Sequence, residues 1–129
     1  EEGRILIGGV SRGGVLSVAW AGRNPDLTQG VVNFVGGWLG EGCGDAEKVN
    51  RTLFSHGGAY PRETLWLYGE DDAYYSLHYS RNNFAAFQNA GGSGAFHEFR
   101  VRGKNNGHYV HVIPTLWNEV LLGYLDDLK

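Results

Sequence analysis

Three groups of residues have the types and the chain order that acyl transfer by a nucleophilic hydroxyl requires. The first is Gly9-Val10-Ser11-Arg12-Gly13-Gly14. It lies between a short apolar run and a helical pattern, the setting in which a G-x-S-x-G turn lifts a serine hydroxyl above the carboxyl end of a sheet. The demand for glycine is steric: the turn is tight, so the residues two before and two after the serine have to be small. The serine then stands at a helix N-terminus, and the amide of Arg12 points to where an oxyanion forms. The same residues also fit a glycine-rich turn in which Ser11 is a plain N-cap. An anion-binding turn fits less well, because Gly9, Gly13 and Gly14 do not spell G-x-G-x-x-G.

A nucleophilic serine needs a base, and the base needs an orienting acid. In a strand-turn-helix setting of this kind the order along the chain is serine, acid, histidine. A strand-like run ends at Gly69 and is followed by Glu70-Asp71-Asp72. Asp72, three residues past the glycine, is the expected acid, with Asp71 the near alternative and Glu70 a solvated charge. An acidic turn capping a helix accounts for the same three residues. Of five histidines, His108 follows Asn105-Asn106-Gly107 in the loop expected to reach back to the serine turn, and is the expected general base. His111, three residues on, is its rival. His97 falls within a strand and His78 near a helix start. Trp38 and Tyr74 are expected to contact substrate, with His56 and Tyr75 as further candidates for the pocket wall. Aromatic packing under a long loop explains each of these four equally well.

These groups need elements to hold them. Arg4 to Ile7, bounded by glycines, has the pattern of a fully buried strand. Ser11 to Arg23 follows as a helix with Val15, Leu16, Ala19 and Trp20 on its apolar stripe, ended by Asn24-Pro25. Gln29 to Val35 is a second buried strand. Residues 38 to 61 form an irregular, glycine-rich insertion with room for a short helix around Asp45 to Phe54. Thr64 to Tyr68 is a third strand, Ser76 to Ala90 a helix closed by Gly91-Gly92, and Phe96 to Val101 a fourth strand nearer an edge. Pro114 to Leu128 is an amphipathic helix with Leu116, Trp117, Val120, Leu121, Tyr124, Leu125 and Leu128 inward. Strands alternating with helices predict an α/β fold with a parallel sheet of about four strands. Right-handed crossovers that step the same way put the first three connections on one face and leave only the last helix for the other.

Composition bounds the classes. A chain of 129 residues, 42% hydrophobic with a net charge of −3, is one domain and not a disordered one. No apolar run approaches the ~20 residues of a bilayer span. Eleven basic against fourteen acidic residues argue against a nucleic-acid or membrane partner. The single Cys43 excludes an internal disulfide and a cysteine zinc cluster, and no metal or cofactor is expected. The 21 glycines, more than twice the usual ~7%, fall at turns without a repeat.

With these pieces in order, the chain resembles the C-terminal half of an α/β-hydrolase, of the dienelactone-hydrolase or peptidase-like branch. The stretches that carry the likeness are Gly-Val-Ser-Arg-Gly-Gly, Thr-Leu-Trp-Leu-Tyr-Gly-Glu-Asp-Asp with Tyr74-Tyr75 after it, Phe84-Ala85-Ala86-Phe87 through Ala90-Gly91-Gly92, and Asn106-Gly107-His108. The resemblance covers nearly all of residues 1–129. It implies a serine hydrolase acting on small ester-like or related acyl compounds, with Ser11 as nucleophile, His108 as general base, Asp72 as orienting acid and the Arg12 amide in the oxyanion site. Dienelactone hydrolases proper carry cysteine at the nucleophile position. Ser11 there points to ordinary esterase chemistry, and Cys43 lies elsewhere, as a loop residue.

The resembled fold also has strands ahead of the serine strand, one of whose loops gives a second oxyanion amide. Glu1-Glu2, with no initiator Met and a strand-like run almost at once, suggests that this chain is a fragment. The first strand is then an exposed apolar edge, which proteins cover. A second copy paired edge to edge about a two-fold, giving a homodimer through the first strand, or an upstream segment, is the expected cover. Two other functions compete: a truncated hydrolase-like module that keeps these residues but only binds or assembles, and a phosphate- or nucleotide-binding domain, which has no need of the histidine.

Overall fold

The computed structural model describes residues 4–102 and 106–129; the opening Glu1-Glu2-Gly3 and Asn105 of the expectations above lie outside them. In chain order the elements are β1 (Ile5–Val10), α1 (Arg12–Arg23), β2 (Thr28–Phe34), α2 (Ala46–Ser55), β3 (Glu63–Gly69), α3 (Leu77–Asn89), β4 (Ser93–Phe99) and α4 (Pro114–Asp127). Two 3-10 turns, His56–Ala59 and Gly107–Val112, complete them. The four strands form one sheet in the order β1-β2-β3-β4, every pair parallel.

The alternation of side chains along β3 divides the core in two. Trp66 and Tyr68 pack with Val15 and Val18 of α1, Phe54 of α2 and Phe87 of α3. Leu65 and Leu67 pack with Val32 and with Val120, Leu121, Tyr124 and Leu125 of α4. Three helical connections therefore cover one face and α4 covers the other, as same-handed crossovers require. The apolar stripe expected for the last helix is the side of α4 turned toward the sheet. Tyr124 fastens it: its hydroxyl accepts from the Val31 N–H at 2.8 Å and donates to the Glu63 carbonyl at 2.9 Å. Burial pushes this phenol up to about 12.

Several boundaries and faces differ from expectation. β1 does not stop at Ile7. It continues through Gly8-Gly9 to Val10, because those glycines serve close approach and not termination: a Cβ on Gly8 would press on the Val32 carbonyl of β2. Nor is β1 fully buried; as an edge strand it leaves Ile5 and Leu6 47% and 49% exposed. On α1 the buried face contains Val15, Ser17, Val18, Ala19 and Ala21, whereas Leu16 is exposed. The helix lies directly on the His56–Ala59 turn, where a Cβ on Gly22 would strike the His56 carbonyl and a Cβ on Gly57 would strike Val18. The segment 38–61 is less irregular than expected: α2 and that turn form the crossover between β2 and β3. β4 begins three residues before Phe96, since Ser93 already pairs with Glu63, and it closes at Phe99. Among the described residues, no helix is long and apolar enough to cross a membrane.

Candidate active site

The carboxyl ends of all four strands meet at one side of the sheet, and the candidate residues stand there. Ser11 follows the last residue of β1 with φ 57° and ψ −118°, a left-handed conformation that costs a non-glycine residue roughly 1–3 kcal/mol. Four backbone hydrogen bonds hold it. Its N–H donates to the Phe34 carbonyl at 2.9 Å, and its own carbonyl accepts from Gly14 at 3.0 Å, Gly37 at 3.1 Å and Val15 at 3.3 Å. Ser11 occupies the N-cap position of α1, yet its side chain makes no capping hydrogen bond. Its hydroxyl is thus free of the task that the plain N-cap reading assigns to it.

The steric reasoning for the turn holds at one flank and shifts at the other. A Cβ on Gly9 would fall well inside 3 Å of the Gly13 backbone. Gly13 itself has open space around its Cβ position, so only its backbone is crowded. The demand for glycine passes to Gly14, which rests on Asn33 of β2 and on Gly36. As the first residue of α1, Arg12 has no helical carbonyl for its N–H, and that amide sits beside Ser11.

Asp72 and His108 are joined directly. His108 Nδ1 lies 2.9 Å from Asp72 Oδ2, with the two side chains 12% and 0% exposed. The other carboxylate oxygen, Oδ1, accepts the backbone N–H groups of Tyr74 at 2.8 Å and Tyr75 at 3.0 Å. Asp71, at φ 60°, points outward and is exposed, which separates the two neighbouring acids. The loops after β3 and β4 are clasped backbone to backbone. Gly107 N–H donates to the Asp71 carbonyl at 3.1 Å, and a Cβ on either Gly69 or Gly107 would strike the opposite loop. Asn106 Oδ1 completes the clasp, accepting from His108 N–H at 2.9 Å and Ala73 N–H at 3.2 Å.

A cavity of about 580 Å³ opens between these loops, lined by Ser11, Arg12, Trp38, Tyr74, Tyr75 and His108 among others. Trp38 is held by Asn50, whose Oδ1 accepts the Trp38 N–H at 2.6 Å and whose Nδ2 donates to the Leu39 carbonyl and the Tyr79 hydroxyl. The Arg12 guanidinium lies 5.2 Å from the centre of the Trp38 ring. Tyr74, half exposed, sets its ring 4.8 Å from that of His108, tilted at 54° to it.

The structure thus gathers Ser11, Arg12, Trp38, Tyr74 and His108 around one cavity, with Asp72 buried behind His108. His111 also lines it, with a buried and unpartnered Nδ1, and among the described residues no carboxylate pairs with it. His56 is exposed on the turn after α2 and takes no part in the cavity wall. His97 lies in β4 and His78 at the exposed start of α3, as expected. Cys43 is an exposed loop residue at the cavity rim. Among the described residues no group of three or more His, Cys, Asp or Glu side chains is placed to hold a metal ion. Sequence reasoning missed Asn50 and Asn106, which position the wall and the histidine through partners distant in the chain. The Asn106-Gly107-His108 run was the available signal for the second.

No protein-family model matches the chain, and no curated protein matches its sequence. Solved structures share its fold, among them the following two. A thermostable esterase superposes with a TM-score of 0.63 at 21% identity, over 98% of this chain and 31% of that one. SOBER1 from Arabidopsis thaliana superposes with a TM-score of 0.55 at 18% identity, over 85% of this chain and 50% of the other. The chain therefore has an α/β-hydrolase-like fold and spans a third to a half of the length of these structural neighbours.

Proposed function

We propose that the protein is a serine hydrolase of carboxylic esters or related acyl compounds, with Ser11 as nucleophile, His108 as general base and Asp72 as the acid that orients it. The observation that carries this reading is the buried Asp72–His108 contact opening onto the same cavity as a strained, uncapped Ser11. Asp72 holds the Nδ1 side of the imidazole, which leaves Nε2 free to serve as the base. In the first step the Ser11 Oγ–carbonyl bond forms, the hydroxyl proton passes to His108 Nε2, and the carbonyl π pair moves onto oxygen. The Arg12 N–H stabilises that oxyanion at the N-terminus of α1. Collapse breaks the ester C–O bond, and His108 returns the proton to the departing alcohol. Water, deprotonated by the same base, then releases the acid. Trp38 and Tyr74 contact the substrate, and a cavity of this size suits a small one.

We place the chain in the dienelactone-hydrolase or peptidase-like branch, as one domain equivalent to the C-terminal half of that fold. The motif order supports this, as does the partial coverage of both structural neighbours. A second copy paired along β1 completes the sheet, supported by the half-exposed Ile5 and Leu6 on that edge.

Hydrolysis of short-chain p-nitrophenyl esters tests the assignment. Wild type is expected to turn over, and Ser11→Ala and His108→Ala to fall to background. A folded wild type without turnover leaves the alternative, a hydrolase-like binding module.

A further inference from the structure

Tyr75 is 3% exposed and lines the cavity together with Ser11 and His108. Its position is fixed at three points. Its N–H is bonded to the Asp72 carboxylate that also holds His108, so its backbone belongs to the same turn. Its ring centre lies 5.6 Å from the His108 ring. On the other side the ring fills the space above Gly37, where any Cβ would overlap its carbons, and the Gly37 N–H is bonded to the Ser11 carbonyl. The ring is therefore wedged between the histidine and the backbone that carries the serine.

The hydroxyl at the end of this ring lies near the Ser11 side chain, with which Tyr75 shares the cavity wall. A buried phenol calls for a polar partner, whereas a phenylalanine would fill the same space without needing one. Burial first, and the Asp72 charge in addition, hold the phenol above its ordinary 10.0, against the opposing pull of the Ser11 contact and of Arg12. Near neutral pH it is consequently a protonated donor.

We propose that Tyr75 is a catalytic residue, its phenol O–H donating to the oxyanion that forms when Ser11 attacks an acyl carbon, beside the Arg12 amide. This rests on the reading of Ser11 as the nucleophile. In the resting site the phenol stands in the same cavity wall as the serine. As the Oγ–carbon bond forms and the Oγ proton leaves for His108, negative charge appears on the carbonyl oxygen next to Oγ, within reach of the same donor. The phenol keeps its proton throughout. It lends a hydrogen bond that strengthens as charge develops and is released when the carbonyl re-forms. A donor of this kind raises kcat and leaves ground-state binding nearly untouched.

Tyr75→Phe tests this, because it removes one oxygen and keeps the ring. With a p-nitrophenyl ester the expected result is a kcat on the order of 10²-fold lower, with KM within about two-fold and an unchanged melting temperature. A paired comparison of an ester with its thionoester, whose sulfur accepts hydrogen bonds poorly, separates donation from packing. The wild-type preference for the oxygen ester should shrink in Tyr75→Phe, whereas a packing defect lowers both rates alike. If Tyr75→Phe keeps wild-type kcat while Ser11→Ala is inactive, the Tyr75 role is overturned and the hydrolase reading stands. If kcat falls but the oxygen-to-sulfur ratio is unchanged, the role is overturned as well. If the folded wild type itself neither turns over nor is labelled at Ser11, the hydrolase reading fails and takes the Tyr75 role with it.

Discussion

Asp72 and His108 lie 36 residues apart in the chain and 2.9 Å apart in space, joined through a carboxylate that is wholly buried. A carboxylate shut away from water must be hydrogen-bonded to be tolerated. Here both oxygens are used, one by the imidazole and one by the Tyr74 and Tyr75 amides. The second set of bonds shapes the turn, and the first orients the histidine.

That division predicts the effect of changing the acid. Asp72→Asn preserves an oxygen for the two amides but presents an amide to His108. The fold should survive, and kcat for ester hydrolysis should fall roughly 10³–10⁴-fold through loss of the productive tautomer. Asp71→Asn, on the exposed neighbour, should stay within about two-fold of wild type. Steady-state rates with circular dichroism as the folding control check both; equal losses at the two positions contradict the assignment.

The clasp between the loops after β3 and β4 makes a second prediction. A methyl group at Gly107 would strike the Glu70 carbonyl, which is backbone and cannot swing aside. Gly107→Ala is expected to cost about 1–3 kcal/mol in urea unfolding and to lower activity, since it parts His108 from Asp72. Gly13→Ala, where the Cβ position is open, is the control and should be tolerated sterically.

Alkaline stability is set by buried tyrosines. Tyr124 is pushed up to about 12, and burial drives Tyr68 upward as well. Unfolded, these phenols ionise near their ordinary 10.0. The folded chain then holds protons that the unfolded chain has released. Their contribution is complete below about pH 10 and is lost as pH rises from there toward 12, by up to ~1.4 kcal/mol per pH unit for each group. Guanidinium midpoints measured between about pH 8 and 12 should fall more steeply in wild type than in Tyr124→Phe. Parallel curves would show that Tyr124 does not titrate with unfolding.

The strand order, the parallel sheet and the split of three helical connections against one were legible in the sequence. Buried strands bounded by glycine, and an α4 stripe at helical spacing, are strong patterns. The face of α1 was not legible. Leu16 outranks Ser17 and Ala21 on hydrophobicity, yet the helix seats Gly22 on the turn at His56 and so turns Ser17 and Ala21 inward and Leu16 outward. At the site, the order of serine, acids and histidine was readable, while the choice between Asp71 and Asp72 was not. It depends on a single residue in left-handed conformation, which turns one carboxylate out and the next one in. Tyr75 was visible only as one aromatic among several. What distinguishes it is that its ring fills the space over Gly37, a property of two loops brought together by folding.

The edge of β1 yields a prediction about assembly. Ile5 and Leu6 are about half exposed, and their strand pairs with β2 on one side. Edge-to-edge pairing of two copies should appear in sedimentation velocity as a dimer, weakened by Leu6→Lys without loss of secondary structure. A stable monomer of 14.2 kDa at high protein concentration contradicts it.

The most direct test of the central claim is covalent. A fluorophosphonate reacts preferentially with a serine whose hydroxyl is activated by a neighbouring base. The account predicts a single adduct on intact wild-type protein, mapped to the peptide carrying Ser11, and its absence from Ser11→Ala and His108→Ala. A folded wild type that acquires no adduct, or one labelled at another residue, would contradict it.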